Sequence, residues 1–149
     1  MKLLAIETSC DETAVALLEG TDLLVQRVAS QIKSHRSYGG VVPEVASRLH
    51  AETLPILIDQ ILSESNCSLA DLQAIAVTQG PGLEGSLIVG TVAAKALAKC
   101  NGLSIYPINH IEAHMFASFF DSNPPEYPFI SLIVSGGHTV IVQVNQLGD

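Results

Sequence analysis

Three features of this 149-residue sequence predict an α/β fold. Three short apolar or alternating runs, at residues 2–7, 13–18 and 23–30, follow one another across polar turns and read as strands. From residue 43 onward helical and strand patterns alternate, which gives the order βββ-α-β-α-β-α. A stretch containing Pro124, Pro125 and Pro128 then interrupts the pattern, and two further apolar runs, at 129–134 and 139–144, read as a hairpin beyond the break.

Composition limits the function classes. The length suffices for one domain with a real core, and a hydrophobic content of 48% excludes disorder. No apolar run reaches the roughly 20 residues needed to span a bilayer. The run at residues 3–6 is too short for a signal peptide, and an acidic segment follows it, so a cytoplasmic protein with no membrane partner is expected. Cys10, Cys67 and Cys100 are odd in number, widely spaced and without a Cys-x-x-Cys pair, and read as structural thiols. Carboxylates beside Cys10 should raise its pKa. A net charge of −8 argues against a self-sufficient nucleic-acid binder. Arg27, Lys33, Arg36 and Arg48, with His35 and His50 among them, could still form a local basic face or be a few solvated charges.

The first turn, Thr8-Ser9-Cys10-Asp11-Glu12-Thr13, is richer in hydroxyls and carboxylates than a two-residue hairpin turn needs. It suits either a polar hairpin loop or a loop that holds phosphate through amides and hydroxyls and a metal or polarised water through carboxylates. Residues 31–42 are polar, end in Tyr38-Gly39-Gly40, and read as a loop. Pro43 is favoured at a first helical position. Val45, Ala46, Leu49, Leu54, Leu57, Ile58, Ile61 and Leu62 then form a helical stripe that Pro55 should kink or divide. Ser68-Leu69-Ala70-Asp71 resembles a capping box that opens a short helical turn. Residues 74–78 read as a buried strand. Gln79-Gly80-Pro81-Gly82-Leu83-Glu84-Gly85-Ser86 turns from that strand into a helix, and its glycines suit either close approach of a ligand or close packing of helix on sheet. It is not a Walker A loop, and the three strands before it fit a dinucleotide-binding unit poorly. The Ala-rich residues 87–98 are expected to be a buried helix.

After a strand at residues 103–108 comes Asn109-His110-Ile111-Glu112-Ala113-His114-Met115. On a helix His110 and His114 share a face and can aim two imidazoles at one ion. Two packed or surface histidines would have the same spacing, and a metal site needs three or four ligands. Glu112 points to roughly the opposite side, unlike the base of His-Glu-x-x-His zinc peptidases. The last tight turn, Ser135-Gly136-Gly137-His138, can cradle an anion.

This element order resembles one lobe of an actin-like, sugar-kinase-like ATPase fold (ASKHA, ribonuclease H-like), in which each of two lobes opens with a phosphate-gripping hairpin. The first lobe would span residues 1–123, and residues 124–149 would begin the second. The motifs together resemble the N-terminal part of the tRNA N6-adenosine threonylcarbamoyltransferase family (the TsaD type, once described as an O-sialoglycoprotein endopeptidase). The matching stretches are Ile6-Glu7-Thr8-Ser9-Cys10-Asp11-Glu12-Thr13, Tyr38-Gly39-Gly40-Val41-Val42-Pro43-Glu44, Gly80-Pro81-Gly82-Leu83, His110-Ile111-Glu112-Ala113-His114 and Val134-Ser135-Gly136-Gly137-His138.

The resemblance implies transfer of a threonylcarbamoyl group from threonylcarbamoyl-AMP to N6 of the adenosine beside the anticodon, in tRNAs reading codons that start with A. It implies His110 and His114 as ligands of one divalent metal, iron or zinc. Ile133, Val134, Ser135, Gly136 and Gly137 would line the adenylate site. Asp11 and Glu12 would be catalytic or substrate-orienting, and His138 is a weaker candidate. Implied partners are tRNA, a TsaB-type paralogue and a small TsaE-type ATPase. Family members continue beyond residue 149 and supply an aspartate ligand there, so the chain is expected to be an incomplete fragment, inactive alone and prone to self-association through its terminal hairpin. Three other readings compete. The non-catalytic dimerising paralogue lacks the two-histidine motif. A metalloendopeptidase is opposed by the placement of Glu112. A sugar-kinase-like phosphotransferase would have its sugar site in the second lobe.

Overall fold

The computed structural model describes residues 1–121, 123–135 and 139–146. Strands β1 (Lys2–Glu7), β2 (Glu12–Glu19) and β3 (Asp22–Ser30) form an antiparallel meander. Alternation fixes its register. Leu4 pairs with Leu17 and Ile6 with Val15, so these four side chains share one face and are buried there. Next come a short helix α1 (Ile32–His35), a 3-10 turn (Arg36–Tyr38) and the long helix α2 (Pro43–Glu64). Strand β4 (Ala74–Gly80), helix α3 (Glu84–Asn101) and strand β5 (Ser104–Asn109) follow, and the two strands add in parallel to give the sheet order β3-β2-β1-β4-β5. Helix α2 packs on β2 and β3, α3 packs on β4, and the helices pack on each other. The core cluster includes Leu54, Ile58 and Ile61 of α2 together with Ile75 and Val77 of β4.

Local chemistry accounts for the boundaries. The capping box forms, with the Ser68 N–H and hydroxyl both donating to Asp71 Oδ2 at 2.8 and 2.7 Å. Residues 31–42 are not wholly loop. The Gln31 carbonyl accepts from the N–H groups of Ser34 and His35 and starts α1, and the side chain that α1 buries is His35, so no apolar periodicity marks it. Helix α2 also runs undivided through Pro55. Pro55 is exposed, and so is Ala51, whose carbonyl loses its helical donor and can meet water. Helix α3 is not buried all round. Ser86, Gly90, Ala94 and Ala98 form a buried small-residue stripe at four-residue spacing, while Ile88 and Val92 are more than half exposed.

The chain forms two compact units, Met1–Asn109 and His110–Asp149, which divide ahead of the proline-rich stretch. The second unit contains helix α4 (His110–Phe116), a 3-10 turn (Ala117–Phe120) and the antiparallel pair β6 (Phe129–Val134) and β7 (Thr139–Val144). Helix α4 packs on β6, Phe119 stacks on Tyr127, and Phe129 tilts against both, with ring centroids 5.6–5.8 Å apart. One hairpin face buries Ile133 and Val144, while the other exposes Ile130, Leu132, Val134 and Ile141. Among the described residues no helix is long and apolar enough to cross a membrane.

Candidate functional site

The loop between β1 and β2, with the first residues of β2, turns its hydroxyls inward. Thr8, Ser9 and Thr13 are buried. The Thr8 hydroxyl donates to the Ser86 carbonyl at 2.8 Å, and the Thr13 hydroxyl meets His50 Nδ1 at 2.7 Å. The phosphate-gripping role open to those two hydroxyls in the sequence is therefore taken by internal hydrogen bonds. Three successive carbonyls are anchored to three different elements. The Ser9 carbonyl accepts from Leu83 N–H at 2.7 Å, the Cys10 carbonyl from His50 Nε2 at 2.9 Å, and the Asp11 carbonyl from Gln31 N–H at 2.8 Å. Glu7 accepts from the Ser9 N–H with one carboxylate oxygen and from the Thr78 hydroxyl, at 2.6 Å, with the other. On this frame the Asp11 side chain is half-buried and that of Glu12 exposed.

The glycine turn is part of the same frame. A Cβ on Gly82 would lie 2.6 Å from the Ser9 carbonyl oxygen, one on Gly85 would lie 2.5 Å from Ser47 Oγ, and one on Gly90 would strike Thr8 Oγ1. Gly82 and Gly85 of the turn, and Gly90 within α3, thus allow close packing on residues 8–9 and on α2, whereas a Cβ on Gly80 would meet nothing within 4 Å.

Cys10 is exposed, as is Cys100, so of the three thiols read as structural only Cys67 is buried; partial burial of the Cys10 thiol, then the Asp11 carboxylate, raises its pKa and leaves it unactivated. Burial lowers the His50 pKa, so its ring is neutral at neutral pH, with the proton on Nε2 facing the Cys10 carbonyl. Of the residues that could form a local basic face, Lys33, Arg36 and Arg48 are exposed. His35 and His50 are buried, Arg27 pairs with Glu64, and Arg48 lies 3.8 Å from Glu52.

In the second unit His110 and His114 are adjacent on α4, with Nε2 atoms 3.2 Å apart and rings at 85°. Two nitrogens at about 2.05 Å from a tetrahedral zinc would be separated by about 3.3 Å, so the pair fits two positions of one ion. The same separation suits an N–H···N hydrogen bond between neutral rings. Among the described residues no group of three or more His, Cys, Asp or Glu could hold a metal. Ile133 has its side chain buried, so only its backbone could face a ligand, whereas Val134 and Ser135 are exposed. Gly136, Gly137 and His138 lie outside the described residues. An open groove of about 610 Å³ between α3 and strands β4 and β5 is lined by Val77, Gln79, Leu87, Thr91 and Pro107 among others, and by none of the expected site residues.

Residues 22–149 match the family model described as tRNA N6-adenosine threonylcarbamoyltransferase. Curated proteins of that name are similar across almost the whole chain. The one from Thermodesulfovibrio yellowstonii is 50% identical over 148 residues, covering 99% of this chain and 44% of that protein. The one from Pelobacter propionicus is 51% identical over 149 residues, with the same coverage. The chain thus spans less than half the length of these relatives. Among solved structures, YeaZ from Pseudomonas aeruginosa superposes with a TM-score of 0.64 at 20% identity, covering 95% of this chain and 64% of that one. A Ppx/GppA enzyme from Aquifex aeolicus gives 0.52 at 12% identity, covering 100% of this chain and 50% of that one. At these identities the neighbours speak to fold alone, and the fold is the actin-like, ribonuclease H-like class that the element order predicts.

Proposed function

Because this chain belongs to the tRNA N6-adenosine threonylcarbamoyltransferase family, we propose that it forms the N-terminal part of an enzyme that moves threonylcarbamoyl from threonylcarbamoyl-AMP to N6 of the adenosine beside the anticodon. The observation that carries this reading is the convergence of His110 and His114 Nε2 atoms at 3.2 Å. It supports a one-ion site and argues against a binding-only paralogue without the pair. These two residues would hold an iron or zinc ion, which when bound supplies Lewis acidity toward the carbamoyl carbonyl or the phosphate oxygens.

The chain's own groups have defined tasks in this scheme. The adenosine N6 attacks the carbamoyl carbon, a new N–C bond forms, and the C–O bond to AMP breaks. Asp11 or Glu12 accepts the proton that the attacking amine loses, for which a carboxylate on an anchored loop is suited. Backbone N–H groups of Ser135, Gly136 and Gly137 would hold the departing phosphate, with the Ile133 backbone and the exposed Val134 beside them. The proposed location is the cytoplasm. The proposed partners are tRNA, a TsaB-type paralogue and a TsaE-type ATPase, and sharing tRNA contacts with them would accommodate a chain with net charge −8.

Nucleoside mass spectrometry on unmodified tRNA, incubated with threonylcarbamoyl-AMP, metal and partner subunits, tests the reading. This chain is run beside one extended through a second lobe. Product from the extended version is expected, with none after Asp11→Asn combined with Glu12→Gln. No product from either chain would overturn it.

A further inference from the structure

We propose that His50 is a positioning residue for the Asp11 and Glu12 carboxylates, holding their backbone by bridging the Cys10 carbonyl and the Thr13 hydroxyl. The geometry does not depend on the reaction. The assignment rests on the transferase reading only for what the carboxylates act upon.

His50 is 0% exposed and lies in the buried face of α2 with Ala46, Leu54, Leu57, Ile58 and Ile61. A polar ring in such a stripe is costly unless its nitrogens are satisfied, and both are. A carbonyl can only accept, so Nε2 carries the proton and donates to Cys10, which leaves Nδ1 to accept from Thr13. The two partners flank Asp11 and Glu12 in sequence. An imidazole can do this because its donor and acceptor sit on opposite sides of one rigid ring.

The neighbouring anchors make the role specific. The carbonyls of Ser9 and Asp11 are held by backbone N–H groups of Leu83 and Gln31, and the carbonyl between them is held by a side chain. His50 is therefore the anchor in this set that side-chain substitution can remove while leaving the other two in place. Glu7, whose carboxylate accepts from the Ser9 N–H, fixes the near end of the loop, so loss of His50 should loosen the segment beyond Cys10 first.

The test compares His50→Leu, His50→Gln and Thr13→Val with the parent chain. Glutamine can place an N–H donor near the Nε2 position and so restore the bond to Cys10, whereas leucine restores neither bond. Backbone amide exchange at residues 10–13 should rise at least tenfold in His50→Leu, with amides of β4 and α3 little changed, and fall back toward the parent value in His50→Gln. In the extended enzyme with its partner subunits, kcat per folded molecule should fall at least tenfold in His50→Leu, with KM for tRNA unchanged and partial rescue in His50→Gln. If His50→Leu does not fold, Thr13→Val is read at the same amides, with increased exchange expected. Uniform acceleration across the sheet, or unchanged exchange at residues 10–13, would overturn the assignment. A parent enzyme that makes no product would instead defeat the transferase reading, and the exchange contrast would still decide the positioning.

Discussion

Gly82→Ala tests the close packing of the glycine turn on the β1–β2 loop. The new methyl would lie 2.6 Å from the Ser9 carbonyl oxygen and 2.7 Å from Ser9 Cβ, and ordinary contact begins near 3.4 Å. Ser9 must therefore retreat by about 0.8 Å, but it is only 2% exposed. Its carbonyl accepts from Leu83 N–H at 2.7 Å and its N–H donates to Glu7. Overpacking of this kind costs about 1–3 kcal/mol. Weakening the Leu83 hydrogen bond adds about 0.5–1.5 kcal/mol. The expected loss is about 1.5–4.5 kcal/mol, read by urea denaturation as a fall in midpoint of about 1–2 M at a slope of about 2 kcal/mol per M. Gly80→Ala is the internal control. It lies two residues away with no atom within 4 Å of its added Cβ, so it should change stability by no more than about 0.5 kcal/mol. A Gly82→Ala chain within 0.5 kcal/mol of the Gly80→Ala chain would refute the reasoning.

Other outcomes follow from the same structure. Cobalt(II) titration followed by absorbance should show binding to the parent chain, and His110→Ala or His114→Ala should each weaken it by at least the roughly 10–100-fold lost with an outer-shell partner; a variant that binds cobalt as tightly as the parent would remove the one-ion reading. The His50 pKa is lowered in the folded state, so the unfolded chain takes up its proton first as pH falls below the ordinary value near 6.5. The contribution of His50 to stability is then complete above that pH and declines as pH falls toward the lowered value, by at most about 1.4 kcal/mol per pH unit for one proton. The difference in this slope between the parent and His50→Gln measures it, and identical slopes would exclude it. The exposed stripe of Ile130, Leu132, Val134 and Ile141, between 61% and 72% exposed, should drive self-association of the 149-residue chain. Sedimentation velocity should show Leu132→Lys shifting the chain toward monomer, and an unchanged distribution would rule the stripe out.

Periodicity revealed those parts of the fold whose burial repeats with the element. β1, β6 and β7 lie where alternation or an apolar run puts them, because one residue of slip would expose Leu4 and Ile6 or bury Ile130 and Ile141. Helix α1 left no such mark, because its one buried side chain is polar. Helix α3 misled for a related reason. Its abundant Ala and Val suggest burial all round, but full burial is confined to the stripe of Ser86, Gly90, Ala94 and Ala98, with Val89, Ala93 and Leu97 only partly buried beside it. Hydrophobicity alone does not separate a residue that faces a neighbour from one beside it on the same helix.

The site was legible as motifs but not as a mechanism of support. The histidine pair is a local property of a helix, so i, i+4 spacing was enough to bring the rings together. The loop carrying Asp11 and Glu12 is different. Its supporting hydrogen bonds to His50, Leu83 and Ser86 cross 37 to 78 positions of sequence. A polar loop read on its own therefore gives no sign that its hydroxyls face inward. One clue was present: His50 lies four residues after Ala46 and four before Leu54, inside the apolar stripe. A histidine there needs a partner at each nitrogen to be tolerated, and a residue with two such needs fits best where two parts of another segment must be held together. A polar residue embedded in an otherwise apolar stripe therefore points to the loop it supports, even when its own position is far from the chemistry.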